Sequence, residues 1–159
     1  MSSGSQRFLS VVRRASAHRL ARGGARVAFV AFAALLFVAT HWPALQVPGA
    51  EVRSDLVIHL VVFAAWTILL ARTGYLPSAR SGRGVGILWL VAAAYACIDE
   101  GSQAIPALRR VAAWDDLTAN LLGVTLGAFV AFGLARLLDQ HPGVSSNRDG
   151  GQLGRAKEG

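Results

Sequence analysis

Three groups of polar residues lie at the ends of otherwise apolar segments of this 159-residue chain. An ionisable side chain costs about 2.5–3.5 kcal/mol at the centre of a transmembrane helix and less near the interface. Chains keep such residues where they pair with one another or serve a site, so any chemistry is expected here. The groups are Asp55-x-x-x-His59, Glu100-x-x-Gln103 and Asp116-x-x-x-Asn120-x-x-Gly123, with Arg110 six residues ahead of Asp116.

The residue types suit acid–base chemistry. Asp55 and His59 are four residues apart, on one helix face, and can form a general-base dyad. The alternative is an interfacial histidine beside a carboxylate that the helix dipole favours. Glu100 or Asp116 would then supply the acid, which makes His59, Glu100 and Asp116 the candidate catalytic residues. Asp116, in the first turn of span four, can likewise be a carboxylate that the helix dipole favours and that has no catalytic role.

The remaining polar residues suit ligand binding. Arg110, with Arg109, can hold a phosphate or carboxylate through paired hydrogen bonds, or it pairs with a neighbouring aspartate. The predicted ligand-binding set is Asp55, Gln103, Arg110 and Asn120. His59, Glu100 and Asp116 can also ligate a divalent cation, but their spacing does not require one. The prediction is therefore no metal and no cofactor.

Composition places these residues in a membrane protein. The chain is 53% hydrophobic and 16% charged, with a mean hydropathy of +0.44, which excludes an ordinary soluble domain. The net charge of +7 does not indicate nucleic-acid binding, because the arginines flank apolar blocks instead of alternating with aromatics. Cys97 is the single cysteine, so no intrachain disulfide forms. It is expected to be a small packing residue beside Ala96.

Four apolar segments are long enough to cross a bilayer as helices, which need about 20 residues. The prediction is an all-α integral membrane bundle of four transmembrane helices, residues 26–138, between a basic segment at 1–25 and a disordered tail at 139–159. A cleaved signal peptide is the rival interpretation of the first span, but no convincing cleavage site follows it. The spans are predicted at 26–45, 55–72, 85–105 and 116–138.

The basic residues predict the orientation. All but three of the 16 lie before span one, between spans two and three, or after span four; the exceptions are Arg53, Arg109 and Arg110. The positive-inside rule makes that side cytoplasmic, so both termini are cytoplasmic and the protein is a multi-pass protein of the plasma or inner membrane. The three polar groups then share the outer face. His18, His41 and His141 show no partners and are expected to be solvated or interfacial.

Small residues on span four predict close helix packing. Gly123 and Gly127 continue a ridge with Ala119, Ala131 and Ala135 at four-residue spacing. Such a ridge lets a neighbouring backbone approach, either within the bundle or in a homodimer. Asp116 and Asn120 lie on the adjacent ridge, at the edge of that contact. Asp99 and Glu100 are adjacent in the sequence. Glu100 lies on the small-residue face of span three, so it is predicted to be the one of the two that points into the bundle.

Taken in order, the three groups resemble the VanZ-like family of small multi-pass bacterial membrane proteins. The resemblance rests on the residues quoted above together with Gly127, and it covers about residues 26–138. Leu56 and Leu60 stand where that family usually has lysine and phenylalanine. The resemblance implies a membrane fold and a cell-envelope context, and the type member is associated with resistance to the glycopeptide teicoplanin. It does not supply a reaction.

Three functions follow as hypotheses. The first is an outer-facing polar pocket that binds or shields a glycopeptide or a lipid-linked wall precursor, with Arg110 on its anionic group. The second is a membrane-embedded enzyme in which His59, paired with Asp55, is the base on a lipid head group. The third is a structural or partner-binding protein. Membrane lipids are the expected partners in each case, and nucleic acid is not.

The orientation can be tested at Ser78, between spans two and three. A cysteine introduced there, in a Cys97→Ser background, is expected to react with a membrane-impermeant thiol reagent only after the membrane is opened. Labelling of Ser78→Cys in intact cells would reverse the assignment.

Overall fold

The computed structural model describes residues 3–41, 52–105 and 113–139, and four α-helices account for most of them. Within those ranges there is no β-strand. Each helix contains a stretch long and apolar enough to cross a membrane, which confirms the predicted all-α class and four spans. The helices are α1 (Ser3–His41), α2 (Val52–Thr73), α3 (Gly82–Gln103) and α4 (Trp114–Asp139).

The observed bounds differ from the predicted ones mainly at the start. Helix α1 runs unbroken from Ser3, through the basic segment and through Gly23-Gly24, and its membrane-length stretch is Arg19–His41. Residues 42–45, the predicted end of the first span, lie outside the described residues. Nearly half of the basic leader is alanine, leucine and arginine, which are good helix formers, so helicity extends beyond the apolar run.

The other three helices begin and end on local signals. Ser81 caps α3, its hydroxyl accepting from the Gly84 amide at 3.1 Å. Acids occupy the first turns of α2 and α4, and Arg72 and Arg136 their last turns, as the helix dipole favours. Gly74, with φ of 73°, adopts the left-handed conformation that ends α2.

The helices alternate in direction. At one end of the bundle, the Arg26 side chain donates to the Thr73 carbonyl at 3.0 Å, so the middle of α1 meets the C-terminal end of α2. At the opposite end, Thr40 of α1 meets Asp99 of α3. Helices α1 and α3 therefore run one way, and α2 and α4 run the other.

Helices α2 and α4 make the most extensive contact in the bundle. A Cβ at Gly123 would collide with the Leu60 carbonyl, and a Cβ at Gly127 would lie 2.6 Å from the Ala64 carbonyl oxygen. The predicted small-residue ridge thus lies directly against α2 of the same chain. Its use in a homodimer stays a prediction.

Aromatic side chains join the remaining helices to this pair. Trp66 of α2 stacks on Tyr95 of α3 at 4.5 Å between ring centroids, and the ring of Phe29 of α1 lies tilted against Trp66 at 5.4 Å between centroids. The Trp89 indole donates to Thr125 across α3 and α4 at 3.0 Å. Phe63 and Trp66 are buried, so the α2 face that also carries His59 points into the bundle.

The outer surfaces suit hydrocarbon. In the isolated chain several large apolar side chains are more than half exposed, which is normal only where lipid covers them. They are spread over all four helices, and include Leu35, Phe37, Val57, Leu90, Ile98, Leu122 and Phe129.

The glycine contact yields a stability prediction. Gly123→Ala should force α4 away from the Leu60 carbonyl and lower the stability by about 1–3 kcal/mol, as overpacking does. Gly133→Ala is the matched control, because a Cβ there meets nothing within 4 Å. It should be neutral or slightly stabilising. Thermal unfolding in detergent measures both, and equal melting temperatures would contradict the packing described.

Candidate functional site

The side chain of His59 lies between α2 and α4, surrounded by oxygen atoms. Its Nδ1 is 2.9 Å from Asn120 Oδ1, and an amide oxygen only accepts, so Nδ1 carries the hydrogen. Its Nε2 faces Asp55 Oδ1 at 3.8 Å and Asp116 Oδ2 at 3.9 Å. The structure therefore brings together four of the predicted site residues, two from each of the two most tightly packed helices.

Glu100 and Gln103 occupy the neighbouring position, where α3 ends beside the start of α4. Both side chains are buried, at 3% and 2% exposure. Glu100 Oε1 accepts from the Ala113 amide at 2.7 Å, one residue ahead of α4, and Glu100 Oε2 lies 3.5 Å from Gln103 Nε2. Glu100 thus holds the α4 N-terminus against the α3 C-terminus.

A second polar cluster joins α1 to α3. Thr40 donates to Asp99 Oδ1 at 2.9 Å, and the Asp99 side chain is buried. His41 Nε2 lies 2.7 Å from Ser102 Oγ, which is also 2.6 Å from the Asp99 carbonyl oxygen. His41 Nδ1 is 2.9 Å from the Phe37 carbonyl and 4.0 Å from Asp99 Oδ1.

Electrostatic interactions connect these clusters into one region. Glu100 interacts with both His59 and Asp116, and Asp99 interacts with both His41 and His59. Four carboxyl groups and two imidazoles from all four helices therefore share one end of the bundle. Low polarity around buried groups strengthens such interactions, so changing one charge is expected to affect the others.

Two buried polar atoms in this region lack partners. Asp99 Oδ2 and Asn120 Nδ2 have no hydrogen-bond partner among the described residues, although both are shielded from solvent. Buried polar atoms are nearly always paired, and an exception calls for an explanation such as water, an ion or a ligand. A third such atom, Trp66 Nε1, lies among the aromatic side chains in the middle of the bundle, whereas these two lie at its polar end, which is the candidate site.

Of the predicted site residues, Arg110 lies outside the described residues, as do Arg109 and Trp42. Trp114 is 85% exposed at the start of α4, where an interfacial aromatic belongs. The side chains of Arg26 and Arg136 lie at the end of the bundle away from Asp55 and Glu100. Which end of the bundle is cytoplasmic stays a prediction.

Three expectations need correction. His41 has partners, because it contacts Ser102 and stacks on Phe37 at 4.1 Å. Cys97 is exposed and does not pack in the interior. Asp99 is as buried as Glu100, because the end of α3 is enclosed by α1 on one side and by α4 on the other.

Sequence reasoning missed Thr40, His41 and Ser102 as members of the site. A usable signal existed, since Thr40-His41 ends the first span at the same level as the three polar groups. Nothing in the spacing, however, indicates that α1 lies against the Asp99 face of α3.

A family model described as VanZ/LLP1 matches residues 8–137 of the chain. No curated protein and no solved structure matches the chain. The matched range includes α2 and α3, most of α1 and α4, and every predicted site residue.

The contact between Thr40 and Asp99 gives a second prediction. Thr40→Val keeps the shape but leaves Asp99 Oδ1 buried without its donor, which should cost about 1–3 kcal/mol. Thr118→Val is the matched control, because that exposed hydroxyl bonds only its own helix, at the Trp114 carbonyl. Chemical unfolding in detergent compares the two, and equal losses would show that the Asp99 contact contributes nothing.

Proposed function

Because the chain belongs to the VanZ/LLP1 family, we propose that it is a cell-envelope membrane protein whose polar bundle end binds the head group of an envelope molecule. The candidate ligands are a lipid-linked wall precursor and a glycopeptide such as teicoplanin. Asp55, Glu100, Gln103 and Asn120 would orient hydroxyl and amide groups of the ligand. The observation that carries the proposal is the buried Asn120 Nδ2, which has no hydrogen-bond partner among the described residues although polar side chains from four helices share this end of the bundle.

A purely structural role, in which the polar side chains only hold the helices together, explains this arrangement poorly. Hydrogen bonds between transmembrane helices average only about 0.6 kcal/mol, while burying a polar atom without a partner costs more. A structural network would be expected to satisfy its own atoms. Asn120 is fully buried, yet among the described residues only its oxygen has a partner, His59, so its amide nitrogen can donate to another molecule.

A groove beside the site supports a lipid-linked ligand over a soluble one. It has a volume of about 460 Å³, runs between α2 and α4, and is lined mainly by apolar side chains such as Leu56, Leu60 and Leu122. Leu56 and Leu60 directly follow Asp55 and His59 in the sequence. An acyl or polyprenyl chain can lie in the groove while its head group reaches the polar side chains.

The anionic part of such a ligand needs a cation. The described part of the site is rich in carboxylates, so a pyrophosphate or carboxylate would be repelled unless a basic group faced it. Arg110 is proposed for that role, from the connection between α3 and α4. The outer orientation of the site is part of the same proposal.

An enzyme is the second candidate function, favoured by one distance. Ser102 Oγ and His41 Nε2 are 2.7 Å apart, the separation of a hydroxyl nucleophile and its general base. On this alternative the pair would act on a lipid head group. Ser102→Ala would then abolish turnover of a lipid while leaving its binding intact.

Binding can be measured on the purified chain in nanodiscs. The wild-type protein should bind a lipid-linked wall precursor, and Asn120→Leu should weaken that binding at least tenfold, because it removes both polar atoms while keeping the branched shape of the side chain. Gly133→Ala, near the other end of α4 and away from the groove, is the control and should bind as the wild type does.

Teicoplanin is titrated in parallel to distinguish the two ligand classes. Equal precursor binding by Asn120→Leu and the wild type would contradict the proposed site, and so would no binding of either ligand. Conversion of the precursor that Ser102→Ala abolishes would establish the enzyme instead.

A further inference from the structure

We propose that Asp55, His59 and Asp116 form a binding site for one divalent transition-metal ion, with Zn²⁺ as the expected occupant. One ligand atom from each of these residues lies within 4.8 Å of the other two. The sequence favoured no metal, because its spacing does not show that α2 and α4 bring these three residues together. The inference does not depend on which envelope molecule the protein binds.

The protonation of His59 prepares it as a ligand. Asn120 Oδ1 accepts from Nδ1 at 2.9 Å, so in the neutral ring the lone pair belongs to Nε2. Metal-bound histidines characteristically donate their other ring N–H to an oxygen, which fixes the tautomer and the ring orientation. Asn120 is fully buried, so it holds this orientation without competition from water.

The arrangement around Nε2 suits a cation. Two carboxylate oxygens face it at 3.8 and 3.9 Å, beyond hydrogen-bonding distance. Zinc lies about 2.0–2.2 Å from nitrogen and oxygen ligands, so ligand atoms around a tetrahedral ion are about 3.5 Å apart. Small side-chain movements would therefore complete the coordination.

The donor set indicates the type of ion. One imidazole and two carboxylates suit Zn²⁺ and related transition metals, whereas Mg²⁺ and Ca²⁺ prefer oxygen alone. Three protein ligands leave a fourth position open, as in catalytic zinc sites. The side chain of Asp55 is 51% exposed and that of Asp116 is 20% exposed, so an ion can enter and a fourth ligand can reach it.

The helix dipole alone does not explain the cluster. Acids in first helical turns are favoured without any metal, and Asp115 is an example beside Asp116. Two further observations point to a ligand: His59 is directed at both carboxylates, and buried Asn120 Nδ2 lacks an acceptor among the described residues. A water or head-group oxygen bound to the ion is the kind of acceptor that Nδ2 lacks.

The test uses the full chain, purified without a polyhistidine tag, stripped with a chelator and titrated with Zn²⁺. We expect one tightly bound ion per chain and a higher melting temperature with zinc. Asp55→Asn and Asp116→Asn should each weaken binding at least tenfold, whereas Asp115→Asn, the control next to the site, should bind as the wild type does. Asn120→Ala should weaken binding on the order of 10- to 100-fold through the loss of the histidine orientation.

Cobalt(II) gives an independent readout, because a tetrahedral site with nitrogen and oxygen ligands produces characteristic visible absorption. That spectrum should appear in the wild type and in Asp115→Asn but not in Asp116→Asn. Asp55 is half exposed, so Asp55→Asn is expected to fold even if Asp116→Asn does not, and size-exclusion profiles verify this. No zinc binding by the wild type, or equal binding by Asp55→Asn and Asp115→Asn, would overturn the site.

Discussion

The close contact between α2 and α4 is the constraint on which the polar site depends. Gly123 and Gly127 place the α4 backbone against the carbonyls of Leu60 and Ala64. Only at that separation can His59, one residue before Leu60, form its 2.9 Å bond with Asn120. The small-residue ridge thus has a chemical consequence as well as a packing one, because it fixes the direction of an imidazole and of two carboxylates around it.

The remaining helices complete this end of the bundle from the other side. Glu100 holds the start of α4 through the Ala113 amide, and Asp99 holds the end of α1 through Thr40. Adjacent acids on α3 therefore face different neighbours. Charged groups in a membrane protein are costly, and their concentration at one end, among helix termini, keeps them near the interface while leaving the middle of the bundle to Trp66, Tyr95 and Phe63.

Much of this could be predicted from the sequence because hydrocarbon imposes simple rules. Span number and helical class follow from the length and apolarity of each segment, and the closeness of Asp55 to His59 follows from four-residue spacing. The rotation of α1 about its own axis does not follow from such rules, because its apolar surface is nearly uniform and only Thr40 and His41 distinguish one face from the others. The exposure of Cys97 and the burial of Asp99 were missed for the same reason: both depend on which helices flank α3.

The convergence of side chains from separate helices is tested most directly by cross-linking within one chain. In a Cys97→Ser background, the pairs His59→Cys with Asn120→Cys and Thr40→Cys with Asp99→Cys are treated, in native membranes, with a short thiol-to-thiol cross-linker. Mass spectrometry then identifies the joined peptides. Both pairs should be linked in high yield within single chains. Failure of both pairs, in protein that has inserted normally, would show that these side chains do not meet and would leave no shared polar site.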